Sequence, residues 1–399
     1  MYYVCTSCKS RFDKIEKPVW LCRCGKPLSV RYIWEQNKLH FSVNMDEETL
    51  WRYESVLPKV KKRISLGEGF TPLFPIAETV FVKNETVNPT GSFKDRGMSL
   101  AISMAKEQNV ENICLPSAGN AGISAAAYCK DAGIDCHVFL PETIPVEYLK
   151  ETKRYTKNIT LKGNTIADAA KEMVDQKEKT WFDISTLKEP FRVEGKKTLG
   201  YEIAEQLGWK FPDVVVYETG GGTGLIGMWK AFSELKSLGI VTGSLPRMVS
   251  AQSSGCAPVV EAFQKLSKIT DFWKDSSTIA LGLNVLLLVG CSSIVNDSHV
   301  PMTLSFSDNS AGECSLKNKR ENYKTSMPAT ISVRRSDDAL VFDCKTVDGR
   351  SASGSIPSEF GGMMAGNIIL GGGIGALIDA ESDKHRNYPS SFVIPVVAK

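Results

Sequence analysis

The period of the apolar positions changes repeatedly along the chain, and each change predicts an element. Thr79–Val82 is short, apolar and β-branched, a strand pattern, whereas Met98–Glu107 carries apolar residues at helical spacing. The alternation recurs with a strand at Asn112–Leu115 before an alanine-rich helix at Ile123–Cys129. Further strands are predicted at His137–Leu140 and at Ile159–Lys162, the latter before a helix at Ile166–Met173. The strand Asp213–Tyr217 precedes the helix Leu225–Leu235. Strand and helix signals alternating from Thr79 to Phe263 predict an α/β fold of open sheets in two lobes, with a cleft between them that suits a ligand. From Pro301 to Lys399 the pattern turns to serine-rich, alternating β-type positions and turns, which predicts a β-rich C-terminal region.

One lysine and two turns carry the candidate chemistry. The run Asn88-Pro89-Thr90-Gly91-Ser92-Phe93-Lys94-Asp95-Arg96-Gly97 sets Lys94 near a helix start. There the positive end of the dipole, with neighbouring Arg96, favours the neutral amine that condenses with an aldehyde. Spacing alone also allows a plainer reading, a solvated surface lysine. The turn Ser117-Ala118-Gly119-Asn120-Ala121 offers backbone N–H groups, a hydroxyl and an amide to an anion or a ring oxygen. Gly220-Gly221-Gly222-Thr223-Gly224, between a strand and a helix, lets backbone close on a phosphate. Taken singly, each loop fits any doubly wound sheet.

Together with Leu66-Gly67-Glu68-Gly69-Phe70-Thr71-Pro72-Leu73 and Arg192-Val193-Glu194-Gly195-Lys196-Lys197-Thr198, these runs resemble the threonine synthases, fold-type II pyridoxal-phosphate enzymes. Order and spacing match to about residue 285. The resemblance implies that Lys94 forms the internal aldimine with pyridoxal 5'-phosphate and serves as acid and base at the substrate carbons. It implies that Asn120 bonds the pyridine hydroxyl and that Ser117, Ala118, Gly119, Asn120 and Ala121 hold the substrate carboxylate. Gly220, Gly221, Gly222, Thr223 and Gly224 would bind the cofactor phosphate, and Arg192 the phosphate of a small phosphorylated amino acid. The implied reaction converts O-phospho-L-homoserine and water to L-threonine and phosphate. Paralogues that make cysteate by β-replacement share much of the pattern. Family members often place an asparagine shortly before the arginine, where this chain reads Ser185-Thr186-Leu187-Lys188-Glu189-Pro190-Phe191.

The start of the chain carries a separate signal. Cys5-x-x-Cys8 and Cys22-x-Cys24 suit a zinc-ribbon-like segment with four thiolates, although the second spacing is short for a knuckle. A disulfide or redox pair and a ribbon that folds without metal are the alternatives. Met1 to Val4 lead into this knuckle without an apolar core, so no signal peptide is expected there. The cysteines Cys114, Cys129 and Cys136 fall in strand and helix patterns as buried free thiols, which favours the cytoplasm for the front of the chain.

The tail reads differently. Leu286-Leu287-Leu288-Val289-Gly290-Cys291-Ser292-Ser293 is similar to the end of a bacterial lipoprotein signal. Internal and lacking a charged segment ahead of it, the run reads better as a buried strand with an ordinary thiol at Cys291, and it is too short to span a bilayer. A chimera is therefore expected, with a ribbon-like segment at 1–35, an incomplete enzyme region at 36–285 and a lipoprotein-like region at 286–399. No residue of the tail is assigned to the pyridine nitrogen; Thr303, Ser305 and Ser307 merely share one alternating strand. Gly361–Asn367 and Gly371–Gly375 read as turns because no strand, helix and lysine frame them. The rival function is a noncatalytic chain that serves as an interaction module. With 399 residues, two to three domains are expected. A net charge of +3 and no basic run interleaved with aromatics argue against nucleic acid, while a homodimer is compatible with the pattern.

Overall fold

Alternating strands and helices build the front of the chain. The computed structural model describes residues 1–13, 21–33, 41–267, 270, 273, 299–334, 336–360, 386–389 and 391–396. The chain divides into two units, Met1–Val260 with Thr270–Val289, and Glu261–Ile269 with Gly290–Lys399. The expected join near residue 285, the Leu286–Ser293 run, and the glycine runs at 361–367 and 371–375 lie outside the described residues.

The first unit opens with β1 (Tyr2–Cys5), which pairs antiparallel with β2 (Arg11–Phe12) and with β3 (Leu28–Arg31). A hairpin of β4 (Leu73–Ala77) and β5 (Val80–Lys83) leads through a short turn into α1 (Lys94–Glu107). Next come β6 (Asn112–Pro116), α2 (Asn120–Ala132), β7 (Asp135–Leu140), α3 (Val146–Lys153), β8 (Ile159–Leu161), α4 (Ile166–Gln176) and β9 (Trp181–Asp183). These four strands form a parallel sheet in the order β8-β7-β6-β9. Ile113, Cys114 and Leu115 are all buried, as expected for a strand covered on both faces. Ile113, Leu115 and Val138 share a core with Ala125, Ala126 and Tyr128 of α2. Thr165 and Asp168 close a capping box on α4.

The chain continues through α5 (Phe191–Gln206), β10 (Val214–Glu218), α6 (Thr223–Ser237) and β11 (Arg247–Ala251). The strands β10 and β11 pair in parallel. The sequence predicts a larger lobe around the glycine loop, but among the described residues that loop stands on these two strands and the Ser117 turn on four. Val216 is accordingly 69% exposed, a level at odds with an inner parallel strand.

Charge as well as apolar surface holds this unit together. Arg96 of α1 is fully buried and bridges Glu85 and Glu202, with bonds of 2.6 and 2.7 Å to Glu85 and 2.5 and 2.7 Å to Glu202. A second buried network joins α5 and α6 to the first sheet. In it Lys197 pairs with Glu194 and Glu234 at 3.1 and 3.0 Å, Lys230 pairs with Glu194 and donates to Val30 O at 2.7 Å, and Tyr32 donates to Glu194 at 2.7 Å. The helices α1 and α5 cross closely, because a Cβ on Gly195 would lie 2.0 Å from the carbonyl oxygen of Arg96.

The second unit is β-rich. The strand β12 (His299–Phe306) precedes β13 (Gly312–Lys317), β14 (Asn322–Met327), β15 (Ala329–Arg334), β16 (Leu340–Thr346), β17 (Ser351–Ile356), β18 (Glu359–Phe360), β19 (Arg386–Asn387) and β20 (Ser391–Ile394). They form sheets β15-β12-β20 and β14-β13-β16-β17 and the small pair β18-β19. Burial alternates strictly along β16, with Leu340, Phe342, Cys344 and Thr346 inward. Met302, Leu304 and Phe306 of one sheet share a core with Leu316, Phe342 and Ile356 of the other. A disulfide joins the register partners Cys314 and Cys344 of β13 and β16. Thr303, Ser305 and Ser307 belong to this unit; the Thr303 hydroxyl lies 2.9 Å from that of Thr330. No helix among the described residues is long and apolar enough to cross a membrane.

Candidate functional site

Lys94 is the first residue of α1, and the turn before it is pinned from below. The buried Asp95 carboxylate accepts from Thr90 N at 2.7 Å and from Thr90 Oγ1 at 2.5 Å. It also accepts from Ser124 Oγ of α2 at 2.5 Å, which ties the lysine turn to the helix that follows the Ser117 turn. The Lys94 Nζ lies 3.6 Å from the centroid of the Phe93 ring. That ring packs edge-on against Tyr217, whose strand leads into the glycine loop. Lys196 of α5 reaches the same ring at 4.9 Å and donates to Thr223 Oγ1 at 2.6 Å. One aromatic ring thus gathers residues of α1, α5 and β10.

The electrostatics of the lysine differ from the expectation in one respect. Its amine is lowered to about 7, first by burial and then by the Arg192 cation, with Glu218 and Asp95 opposing. Arg96, expected to supply that push, is held by Glu85 and Glu202, so its charge is compensated before it reaches Lys94. Arg192 is itself buried and lowered to about 10 by burial, against Glu189 and Asp183. It donates from one terminal nitrogen to Ile184 O at 2.7 Å, while its Nε is buried with no hydrogen-bond partner. Glu189, which stands before the arginine, caps α5 by accepting from Phe191 N at 3.0 Å and Arg192 N at 2.7 Å. Burial raises its carboxyl to about 7 despite these bonds.

The other expected residues take defined places. The Ser117 hydroxyl is occupied within its own turn, accepting from Gly119 N at 3.1 Å and Gly122 N at 2.9 Å. It therefore shapes the turn that presents Ala118, Gly119, Asn120 and Ala121. Asn120 and Ala121 begin α2 and are half-buried, so N–H groups of a helix start lie beside the amide. Gly220 and Gly221 are half-buried, and Gly222 caps α6 in the left-handed region at φ 74°. Thr223 and Gly224 form the first turn of α6. A Cβ on Gly224 would fall 2.1 Å from the Tyr217 hydroxyl, a buried group that has no hydrogen-bond partner.

These features fit a phosphorylated aldehyde. An amine lowered to about 7 stands ready to condense. A tight backbone turn at a helix N-terminus and buried unpaired donors on Arg192 and Tyr217 offer places for anionic oxygens. Phe93, Tyr217, Asp95 with Ser124, and Lys196 were not singled out by sequence reasoning. For Lys196 a signal existed, since it stands four residues after Arg192 and so on the same helical face.

The four cysteines at the chain start also converge. The Sγ atoms of Cys5, Cys8, Cys22 and Cys24 all lie within 4.8 Å of one another, with Cys5–Cys24 and Cys8–Cys22 each at 3.5 Å. All four are free thiols, so the disulfide alternative is not adopted. Four sulfurs so grouped could hold a metal ion of tetrahedral preference. Cys114, Cys129 and Cys136 are buried and free.

Residues 64–313 match the family described as Pyridoxal-phosphate dependent enzyme. The chain is 37% identical over 298 residues to the threonine synthase of Methanocaldococcus jannaschii, covering 70% of this chain and 72% of that protein. It is 31% identical over 298 residues to the threonine synthase of Methanosarcina acetivorans, covering 71% and 73%. Among solved structures, a fungal L-serine ammonia-lyase from Rhizomucor miehei superposes with a TM-score of 0.51 at 17% identity, covering 58% of this chain and 73% of that one, a likeness of fold.

Proposed function

This chain belongs to the pyridoxal-phosphate dependent enzymes, and on that premise we propose that it converts O-phospho-L-homoserine and water to L-threonine and phosphate. The observation that carries the reading is Lys94, an amine lowered to about 7 at the head of α1, with Arg192 among the causes. The choice of substrate rests on the two threonine synthases to which the chain is similar.

The cofactor supplies an electron sink for the substrate carbons. Lys94 would hold its aldehyde and, once released, take the proton at the α-carbon and help move one at the β-carbon. Asn120 would bond the ring hydroxyl, and Ser117 to Ala121 would orient the substrate carboxylate. Gly220 to Gly224 would seat the cofactor phosphate, and Arg192, with its unpaired Nε, the phosphate that departs. Water supplies the hydroxyl of the product. The test is phosphate release and threonine formation in equal amounts from O-phospho-L-homoserine by the pyridoxal-phosphate-loaded chain. Turnover of O-phosphoserine with sulfite in its place would assign a β-replacement such as cysteate synthesis.

The Cys5, Cys8, Cys22 and Cys24 group would hold zinc in a ribbon-like segment, and one equivalent of zinc in the purified chain would support this. We assign the reaction to the cytoplasm, where thiols stay reduced. The Cys314–Cys344 disulfide of the second unit suits an oxidising compartment instead. That contrast supports reading the tail as taking no part in the chemistry; the family match, which runs to residue 313 and so past the join expected near 285, gives a lipoprotein-like chimera no support.

A further inference from the structure

Lys196 is 1% exposed, and its ammonium donates to Thr223 Oγ1 at 2.6 Å in the first turn of α6. Its neighbours on the same buried layer are differently treated. Lys197 pairs with Glu194 and Glu234, and Lys230 also pairs with both. Lys196 has no ion pair among the described residues, and the charges that act on it most are the cations Arg192 and Lys94, with the Glu189 carboxylate opposing them more weakly. A buried cation among cations and beside a helix N-terminus is poorly accommodated until an anion arrives. Burial first, then Arg192 and Lys94, lower its amine well below the usual lysine range. The adjoining Gly222-Thr223-Gly224 turn leaves no room for a Cβ at Gly224, which would meet the unpartnered Tyr217 hydroxyl at 2.1 Å.

We propose that Lys196 is a positioning residue for a phosphate monoester, its ammonium and the N-terminal turn of α6 sharing the phosphoryl oxygens. This rests on the reading of the chain as a pyridoxal-phosphate enzyme. Two phosphate monoesters meet in that reading, the cofactor and the substrate. The contact with Thr223 favours the cofactor's phosphate. Arg192, four residues earlier on α5, would then be left for the other. Lys196 makes no contact with the reacting carbons in this assignment.

The test titrates the full-length chain with pyridoxal phosphate and with pyridoxal, which lacks the phosphate, in the parent and in Lys196→Met, Lys196→Gln and Lys196→Arg. Methionine is of similar length and relieves a buried cation, so that variant is expected to fold at least as well as the parent. The neutral variants should raise Kd for pyridoxal phosphate by on the order of tenfold or more, the scale of one charge-assisted contact, and leave that for pyridoxal unchanged. Lys196→Arg should restore the preference. If the ratio of the two Kd values stays at the parent value but KM for O-phospho-L-homoserine rises in the neutral variants, the phosphate held is the substrate's and the inference stands with that source. If neither the ratio nor KM moves, or if both Kd values rise together, the inference is overturned while the family-based reading survives. A folded parent that binds neither pyridoxal phosphate nor pyridoxal overturns that reading, and this inference with it.

Discussion

Both units have apolar cores, but they differ in the charge they bury beside them. In the first, Arg96, Arg192, Lys196, Lys197, Glu68, Glu194 and Glu202 are all 2% exposed or less. In the second, the buried polar residues among those described are Asn318, Ser336 and Thr346, and the ion pairs, such as Arg350 with Asp308 and Lys319 with Asp337, lie at the surface. Alternation along β16, an apolar core and the Cys314–Cys344 disulfide hold the second unit. Buried charge is a weak source of stability, since desolvation offsets most of the attraction. A unit that retains so much of it uses the charge for placement.

The sharpest way to break this contrast is Lys94→Ala. The parent, incubated with pyridoxal phosphate and reduced with borohydride, should carry a stable adduct that maps by mass spectrometry to Lys94 and not to exposed lysines of the second unit such as Lys317, Lys324 and Lys345. The variant should lose the adduct and about 10³-fold or more of any turnover, the scale for removing a covalent catalytic group. Equal labelling of both units would remove the distinction between them.

Next in size is Arg96→Ala. Burial would raise the Glu202 carboxyl, but Arg96 and Lys83 overcome it and hold it at about 2. Without the arginine, Glu85 loses its ion-pair partner and Glu202 keeps only Lys83, at 2.8 Å, so the variant should lose about 3–5 kcal/mol, as when one partner of a buried pair is removed. Two unfolding transitions are expected, and only that of the first unit should move. A shift of both would mean that the units do not unfold separately. The pH sign follows from the lowered carboxyl: its contribution is present above the ordinary glutamate range and is lost as pH falls through about 2.

Much of the first unit was legible because its signals are local. The strands Asn112–Leu115 and Asp213–Tyr217 were placed to within a residue or two by continuous apolar runs. The helix Met98–Glu107 was begun four residues late because Lys94, Asp95, Arg96 and Gly97 look like a polar turn. In the structure Asp95, Arg96 and Gly97 are buried, Arg96 and Asp95 against partners far away in sequence, Glu202 and Ser124. No periodicity reports such pairings. The same limit explains why nearness in sequence points to Arg96 for an effect on Lys94 that belongs to burial and Arg192. The four cysteines were legible because metal-type spacing is itself local.

Reduction probes the second unit alone. The Cys314–Cys344 disulfide closes a loop of 30 residues in sequence between neighbouring strands. Breaking it should cost that unit about 2–4 kcal/mol, the usual range for such a loop. The first unit contains only free thiols among its described cysteines and should hold its transition and its cofactor adduct in the reductant. Loss of the adduct on reduction would show that the second unit supports the site after all.

The smallest effect expected is in the pH dependence of adduct formation, and it measures the placement of charge most directly. The attacking species is the neutral amine, so the rate follows the deprotonated fraction of Lys94. An amine lowered to about 7 by burial and by Arg192 is mostly protonated at pH 6 and mostly neutral at pH 8. The rate should therefore climb roughly tenfold between those values and then flatten. A solvated lysine would instead keep gaining past pH 9, because its unperturbed value is about 10.4. In Arg192→Gln the second cause is removed and the first remains, so the midpoint should move upward without reaching that of a solvated lysine. A midpoint unchanged by Arg192→Gln would leave burial as the sole source, and a parent rate still rising past pH 9 would place Lys94 with the surface lysines of the second unit.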